Sequence, residues 1–227
     1  MTTAPKNRSA EPRKRIYIVE DHPTFREGLT QVLNGTGDLT VCGMAGSVDQ
    51  ALPAIERAKP DLVLVDISLP GKSGLDLIKE LRAVNHAVKL LVISMHDEAL
   101  YAARVLRSGG DGYIMKQEDP DEIIYAIHDV LDGHIYVSEE VMETTQGGGR
   151  GARAKDQNRP LDLLTDSELE ILEWVGRGKS TREIASKLRL KEGSVTAARS
   201  QLREKLNLKN AQALFRYAVR WVESDGG

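Results

Sequence analysis

Five short apolar runs, each followed by an amphipathic segment, constrain the fold of the first part of the chain. The strand-like runs are Arg15–Glu20, Leu39–Met44, Leu62–Asp66, Lys89–Ser94 and Gly112–Met115. Their apolar character is continuous rather than alternating, which is typical of parallel strands that are buried on both faces. Helices are expected between them, near residues 24–34, 48–58, 74–84, 97–108 and 120–131. This (βα)5 alternation predicts an α/β fold with a doubly wound parallel sheet.

A change of pattern separates this unit from the rest of the chain. Residues 147–160 read GGGRGARAKDQNRP, lack apolar periodicity and are rich in glycine and charge, which predicts a flexible linker. A glycine loop that cradles phosphate is the alternative, but no strand precedes it and no Gly-Lys-Ser/Thr follows. We therefore expect a disordered N-terminal tail over 1–13, an α/β domain over 14–146 and a separate small domain over 161–227.

The C-terminal segment shows no strand pattern and predicts a small all-α domain. Its helices are expected near 165–177, 180–188, 191–206 and 210–223. Thr165, Ser180 and Asn210 are suitable helix caps, and Glu168 and Glu183 follow the first two at the spacing of a capping box. Periodic apolar positions indicate the core residues Ile184, Ala185, Leu188, Val195 and Leu202.

Charge is distributed unevenly along the chain, although its net charge is only −3. Residues 16–146 contain 22 acidic and 10 basic residues, a net charge of −12, whereas residues 160–227 contain 12 basic and 10 acidic residues, a net charge of +2. Within 187–209 there are seven basic and two acidic residues, a net charge of +5. This distribution suggests a cation site in one part and a polyanionic partner for the other. A basic helix face that is merely solvated is the alternative.

The composition also excludes some classes of protein. Hydrophobic residues make up 41% and charged residues 29% of the chain, which is ordinary for a folded globular protein. No apolar run approaches the roughly 20 residues that cross a bilayer. The N-terminal MTTAPKNRSAEPRKR lacks the apolar core of a secretory signal. We expect a cytoplasmic protein that does not bind membranes.

Polar side chains stand where the predicted strands end. Glu20 and Asp21 end the first strand, Asp66 and Ser94 end the third and fourth, and the fifth runs into Lys116. Ligands of doubly wound sheets collect at these carboxyl ends, so the side chains should converge. Carboxylates ~4 Å apart repel by about 4 kcal/mol at an effective dielectric of 20, and such oxygen ligands suit Mg²⁺ or Mn²⁺. A single strand-end Asp or Ser more often bonds nearby backbone, so the set as a whole carries the prediction.

These stretches resemble the receiver domain of two-component response regulators. Val19-Glu20-Asp21-His22-Pro23 is similar to the opening of the NarL/FixJ subfamily, and the resemblance covers nearly all of residues 14–133. Its further stretches are Asp66-Ile67-Ser68-Leu69-Pro70-Gly71, Ser94-Met95-His96 and Gly109-Gly110-Asp111-Gly112-Tyr113-Ile114-Met115-Lys116. The resemblance implies that Asp66 accepts a phosphoryl group from a sensor histidine kinase.

The resemblance also implies a role for each site residue. The implied set comprises the metal ligands Glu20, Asp21, Asp66 and Ser68 (through its backbone carbonyl), the phosphoryl contacts Ser94 and Lys116, and the switch residue Tyr113. A tyrosine that only fills the core is the alternative for Tyr113. His22 is expected to be a turn residue before Pro23 rather than a ligand of such a hard, oxygen-rich site.

Two stretches of the C-terminal segment, 164–172 and 178–185, resemble the LuxR-type helix-turn-helix, and the match extends over about 163–222. It implies that the helix near 191–206 enters the major groove of double-stranded DNA while basic residues neutralise phosphates. The expected DNA contacts are Lys191, Ser194, Thr196, Arg199, Arg203, Lys205 and Lys209. Thr196 and Ala198 stand where many members have Lys and His, and Ser167 where many have Arg, so the base readout should differ.

Together these features predict a phosphorylation-controlled transcription regulator that dimerises when Asp66 is phosphorylated. We expect the receiver to catalyse only its own Mg-dependent phosphorylation and dephosphorylation. One alternative is a module whose helix-turn-helix binds a protein partner rather than DNA. Another is a phosphatase-like enzyme with Asp66 as nucleophile, but such enzymes typically need a second carboxylate two residues on, where Ser68 stands.

Overall fold

A computed structural model of the protein describes residues 12–84, 87–139, 141–142 and 160–224. The predicted N-terminal tail (1–13) and linker (147–160) lie almost entirely outside these residues, and so does the predicted end of the first domain. No helix within the described ranges is long and apolar enough to span a membrane.

The first part of the chain forms an α/β unit on a five-stranded parallel sheet with strand order β2-β1-β3-β4-β5. The strands are β1 (Lys14–Val19), β2 (Leu39–Ala45), β3 (Leu62–Val65), β4 (Lys89–Ser94) and β5 (Gly112–Met115). The helices are α1 (Pro23–Gly35), α2 (Val48–Ala58), α3 (Gly74–Ala83), α4 (Glu98–Ser108) and α5 (Pro120–Leu131). The predicted fold class is confirmed, and the sequence periodicity located every element to within about one residue.

Helices cover both faces of the sheet. Leu33 of α1 and Ile127 of α5 pack on one face, whereas Ile55 of α2, Leu77 of α3 and Val105 of α4 pack on the other. Every residue of β3 is fully buried as a result. This two-sided burial explains why the strands read as continuous apolar runs.

The C-terminal part forms a helical unit, which begins with a 3-10 turn at Pro160–Leu163. Its helices are α6 (Asp166–Gly176), α7 (Thr181–Lys187), α8 (Glu192–Lys205) and α9 (Ala211–Ser224). The capping boxes predicted at Thr165 and Ser180 both form, and the Asn210 side chain accepts a hydrogen bond from the backbone N–H of Ala213 at 2.8 Å. Four of the five predicted core residues are buried, and Leu188 is partly buried.

The connection from β3 to α3 folds back closely on the end of its strand. The backbone N–H of Gly74 donates to the carbonyl of Ile67 at 2.9 Å, and Ser73 and Asp76 form a capping box at the start of α3. A Cβ atom on Gly74 would lie 2.1 Å from the carbonyl oxygen of Asp66. Only glycine fits at this position without moving the backbone that carries Asp66.

We therefore expect Gly74→Ala to lower the free energy of unfolding by about 1–3 kcal/mol, because the methyl group must displace backbone. Gly28→Ala is the matched control, since a Cβ atom there meets nothing within 4 Å and Gly28 lies on an exposed part of α1. Gly28→Ala should raise the free energy of unfolding by about 0.5–1 kcal/mol, because alanine has the higher helix propensity. Urea unfolding followed by circular dichroism compares the two, and equal effects would contradict the close approach at Gly74.

Candidate functional site

The acidic residues predicted at the strand ends converge at one edge of the sheet. Val19 pairs with Val65 in the β1–β3 register, so the residues that follow each strand lie side by side. Carboxylate oxygens of Glu20, Asp21 and Asp66 and a ring nitrogen of His22 all lie within 4.8 Å of one another. Glu20, Asp21 and Asp66 are all buried, whereas His22 is exposed. Three carboxylates thus share one small volume that water hardly enters.

Lys116 supplies a cation to this cluster. Its Nζ lies 2.5 Å from Oε2 of Glu20 and 2.8 Å from Oδ2 of Asp66. The backbone N–H of Lys116 donates to the carbonyl of Ser94 at 2.8 Å, which fixes the lysine at the end of β5 beside β4. Burial lowers the pKa of Lys116, but the charges of Asp66 and Glu20 more than offset this and raise it. The ammonium group therefore stays charged between the two carboxylates.

Asp66 carries an unfavourable charge in this position. Burial raises the pKa of Asp66, Lys116 lowers it and the nearby Glu20 raises it again, so that the result is about 6. The backbone N–H of Ser68 donates to Oδ1 of Asp66 at 3.3 Å. Near neutral pH Asp66 is thus an anion that a further cation would stabilise.

The donor set at this edge fits a divalent cation. Oε2 of Glu20 and Oδ1 of Asp21 are buried, and within the described part of the chain they accept no well-aligned hydrogen bond, although Nζ of Lys116 lies 2.5 Å from the first oxygen and Nδ1 of His22 lies 2.8 Å from the second. Carboxylate oxygens are the ligands that Mg²⁺ and Mn²⁺ prefer. The crowding of Glu20, Asp21 and Asp66 around a single lysine would be relieved by such an ion.

Ser94 and Tyr113 lie beneath the same edge. Ser94 is fully buried, and its hydroxyl oxygen accepts the backbone N–H of His96 at 3.2 Å. Tyr113 is also buried, its hydroxyl donates to the carbonyl of His96 at 2.7 Å, and burial raises its pKa well above the ordinary value. Tyr113 therefore points into the core, as expected both of a switch residue and of a tyrosine that only fills space.

Helix α6 of the helical unit packs over this edge, a contact that the sequence did not predict. The hydroxyl of Ser68 donates to Glu170 and lies 2.8 Å from Nε2 of His96. Nδ1 of His96 lies 2.7 Å from Oε2 of Glu173, and the hydroxyl of Tyr101 donates to the same oxygen at 3.4 Å. Polar side chains of the two units thus interlock directly beside Asp66.

His96 is protonated in this arrangement. Burial alone would lower the pKa of His96, but hydrogen bonds and the charges of Glu170 and Glu173 raise it to about 9. Burial raises the pKa of Glu173, yet its bond to His96 and the nearby charges lower it overall. A signal for this contact existed in the sequence, because Glu170 and Glu173 lie three residues apart on one helix face within an apolar run.

Further contacts hold the two units together around this centre. Nζ of Lys79 on α3 lies 2.8 Å from Asp166, and Arg104 on α4 donates to the carbonyl of Leu164 at 3.0 Å. Arg189, in the turn between α7 and α8, lies 3.2 Å from Oδ2 of Asp21. The helical unit therefore contacts a carboxylate of the acidic cluster itself.

The predicted DNA contacts fall into two groups. Lys191, Ser194 and Thr196 are exposed at the start of α8, and Lys209 is exposed after its end. These four side chains are not covered by the α/β unit within the described residues. Arg199 and Arg203 are partly buried by comparison, whereas Lys205 is exposed like these four side chains.

The other three basic residues have partners within the helical unit. Arg199 donates to Thr181 at 2.9 Å, Arg203 to Ser200 at 3.0 Å, and Lys205 to Glu168 at 2.6 Å. Burial lowers the pKa of Arg199. Lys205 thus links the end of α8 to the capping box of α6.

The chain is similar to known proteins over most of its length. Residues 16–128 match the response regulator receiver domain family, and residues 162–218 match the luxR family of bacterial regulatory proteins. The chain is 31% identical to the oxygen regulatory protein NreC of Staphylococcus carnosus over 210 residues, which cover 91% of this chain and 97% of NreC. It belongs to the NarL/FixJ-type response regulators.

Other relatives of this response regulator support the same family assignment. It is 29% identical to the nitrate/nitrite response regulator NarL of Escherichia coli K12, over 92% of this chain and 95% of NarL. A crystal structure of a LuxR-family two-component response regulator from Aurantimonas is 28% identical and covers 60% of this chain and 96% of its own, with a TM-score of 0.55. RcsB of Salmonella enterica bound to the rprA promoter, 21% identical, has a similar fold with a TM-score of 0.59 and covers 91% of this chain and 98% of its own.

The response regulator thus combines a receiver domain, the α/β unit, with a LuxR-type DNA-binding domain, the helical unit. It is a regulator of transcription in a two-component system, rather than a classical enzyme. Proteins of this family act with histidine kinases and bind DNA, and receiver domains generally bind Mg²⁺. The acidic cluster of Glu20, Asp21 and Asp66 lies where the receiver could hold such an ion.

Because the pKa of Asp66 is raised above its unfolded value, its ionisation opposes folding. The native state binds the proton more tightly, so this group lowers stability as the pH rises from about 4 to about 6, and the loss persists above. Asp66→Asn should therefore raise the free energy of unfolding by about 1–3 kcal/mol at pH ~7.5 in a chelator, and by much less at pH ~4. Urea unfolding at both pH values measures this.

Asp49→Asn is the matched control, because the Asp49 side chain is 83% exposed and among the described residues pairs only with Lys72, at 3.6 Å. Surface pairs contribute little, so this variant should change stability by less than about 0.5 kcal/mol at either pH. An Asp66→Asn variant that is less stable than wild type at the higher pH would show that the charged form of Asp66 favours folding.

Proposed function

We propose that Asp66 is the phosphoacceptor of this response regulator, with a sensor histidine kinase as the donor. The observation that carries the proposal is the placement of Asp66 at the end of β3, buried beside Glu20 and held 2.8 Å from Lys116. A carboxylate in this position is a nucleophile whose surroundings already hold the cation needed by a transferred phosphoryl group.

The chemistry follows from the side chains at this edge. A carboxylate oxygen of Asp66 attacks phosphorus in line, so that a P–O bond forms as the P–N bond to the phosphohistidine of the kinase breaks and the histidine leaves, while Lys116 and the hydroxyl of Ser94 contact the phosphoryl oxygens. Glu20, Asp21, Asp66 and the backbone carbonyl of Ser68 would hold Mg²⁺ or Mn²⁺, which when bound neutralises negative charge on the phosphoryl oxygens. In the same way the receiver supports its own phosphorylation and dephosphorylation, without acting on other substrates.

Phosphorylation would then change the partners of the chain. Ser94 shifts toward the phosphoryl group, Tyr113 responds as the switch residue, and the receiver forms a homodimer. Reversing an off/on ratio from 1:99 to 99:1 requires about 5.5 kcal/mol, which phosphoryl contacts and dimerisation together can supply.

We assign the receiver to 14–146 and the DNA-binding domain to 161–227, with 1–13 and 147–160 outside both, and place the protein in the cytoplasm.

The phosphoacceptor is tested by incubating the full-length protein with Mg²⁺ and acetyl phosphate. Wild type should gain the mass of one phosphoryl group and form dimers, whereas Asp66→Ala should do neither, because the nucleophile is lost. Intact mass spectrometry and analytical ultracentrifugation measure the two effects. The control Asp49→Ala, which changes an exposed aspartate, should behave as wild type. A phosphoryl gain in Asp66→Ala would overturn the assignment.

We also propose that the start of α8 binds double-stranded DNA in the major groove. Lys191, Ser194 and Thr196 are exposed there and Lys209 lies beyond the helix end. Arg199, Arg203 and Lys205 complete the proposed contacts, after exchanging their present partners for phosphates. Thr196 and Ala198 make the base readout different from that of many LuxR-type domains.

The contribution of the two exposed lysines is testable with the phosphorylated full-length protein and mixed-sequence duplex DNA. Lys191→Ala and Lys209→Ala should each reduce the slope of log K against log salt by about one, since each removes one phosphate contact. Lys14→Ala, an exposed lysine of the receiver, should leave the slope unchanged. Filter binding at several salt concentrations measures the slopes. Absence of salt-dependent binding in wild type would instead favour a helix-turn-helix that binds a protein.

A further inference from the structure

The DNA-binding domain places a cation on the acidic cluster. Nη1 of Arg189 lies 3.2 Å from Oδ2 of Asp21, and the other oxygen of Asp21 lies 2.8 Å from Nδ1 of His22. The Asp21 side chain is only 6% exposed, whereas that of Arg189 is 53% exposed. Both oxygens of Asp21 therefore have a partner while the two domains are in contact, and one of these partners comes from the other domain.

Charge at this edge is nearly balanced by the two domains together. The carboxylates of Glu20, Asp21 and Asp66 face the ammonium group of Lys116 and the guanidinium of Arg189. A divalent cation together with Lys116 would balance the three carboxylates without Arg189. The guanidinium then has no excess negative charge to attract it, and like charges repel.

Space at the contact also disfavours simultaneous binding. A cavity of about 20 Å³ remains between the receiver edge and the turn that carries Arg189. Its walls include Asp21, Ser68, Glu170 and Arg189. This volume accommodates about one water molecule. Mg²⁺ usually keeps several waters in its coordination shell, and this cavity has little room for them on the Asp21 side while Arg189 stays in place.

We propose that Arg189 and a divalent cation compete for Asp21, so that metal binding and the contact between the domains oppose each other. This inference rests on the metal site of the proposed function and adds that the contact between the domains regulates metal binding there. Because such coupling is reciprocal, the domain contact weakens metal binding by the factor by which metal weakens the contact.

The backbone at Arg189 offers a variant that should not impair folding. Its φ of 52° lies in the left-handed region, where glycine is less strained than arginine. Arg189→Gly thus removes the guanidinium and relieves backbone strain. Asn207→Gly is the matched control, because Asn207 also has a φ of 52°, lies in the same domain and, among the described residues, bonds through its backbone N–H to Glu204 rather than to the receiver.

The probe is Mn²⁺ alone, added to the full-length proteins without a phosphodonor. The signal of free Mn²⁺ in electron paramagnetic resonance reports binding. Arg189→Gly should bind Mn²⁺ about three- to tenfold more tightly than wild type, because no guanidinium competes for Asp21. Asn207→Gly should match wild type. Equal affinities for wild type and Arg189→Gly, with clear binding in both, would overturn the competition while leaving the metal site intact.

Small-angle X-ray scattering tests the reciprocal effect. Mg²⁺ should increase the radius of gyration of wild type and of Asn207→Gly, as the DNA-binding domain separates from the receiver. Asp21→Asn should show no such increase, because it loses the metal ligand. A radius of gyration that Mg²⁺ leaves unchanged in wild type would also overturn the competition. If no variant binds Mn²⁺, the metal site of the proposed function fails together with this inference, whereas phosphorylation of Asp66 is assessed separately by mass.

Discussion

The repulsion among three buried carboxylates at one edge of the sheet is the constraint on which the rest of this structure depends. The parallel register of β1 and β3 forces the residues after these strands together, and Glu20 and Asp66 are then separated by little more than one ammonium group. Burial raises the pKa of Asp66, Lys116 only partly offsets this, and the charge of Glu20 adds to it, so that the pKa is about 6. Such a site gains from any added positive charge, whether it comes from a metal ion or from a side chain.

Buried charges also govern the contact between the domains, but there a buried cation lies between two carboxylates and stabilises the contact. His96 is a buried cation between Glu170 and Glu173, and removing one partner of such a pair would leave an uncompensated charge that costs several kcal/mol. Helix α6 is therefore held at the receiver by an ion pair one hydrogen bond away from Ser68. A change of charge at Asp66 therefore acts on the electrostatic energy of α6 directly, rather than through a rearrangement of the rest of the sheet.

The sequence was sufficient to predict the sheet and the residues at its edge, but it did not predict the contact between the domains. Strands buried on both faces must be continuously apolar, so Asp66 at the end of such a run could be recognised from its neighbours. The Ser68–Glu170 contact joins residues 102 positions apart, and the His96–Glu173 contact residues 77 apart, so a local pattern can mark the two glutamates but cannot identify their partners. A glutamate on a helix normally indicates a solvated face, and here it indicates a buried partner on another domain.

The exposure of α8 limits how the domain contact can regulate DNA binding. Lys191, Ser194 and Thr196 remain exposed while α6 lies on the receiver, so the contact does not bury the start of the helix that we propose enters the major groove. What the contact fixes is the position of the helix relative to the receiver. The dimer that we propose, if it reads two half-sites, must place its two copies of α8 about one turn of DNA apart, roughly 34–36 Å. A charge-controlled contact at Asp21, Ser68 and His96 can set that separation, because releasing α6 frees α8 to move with it.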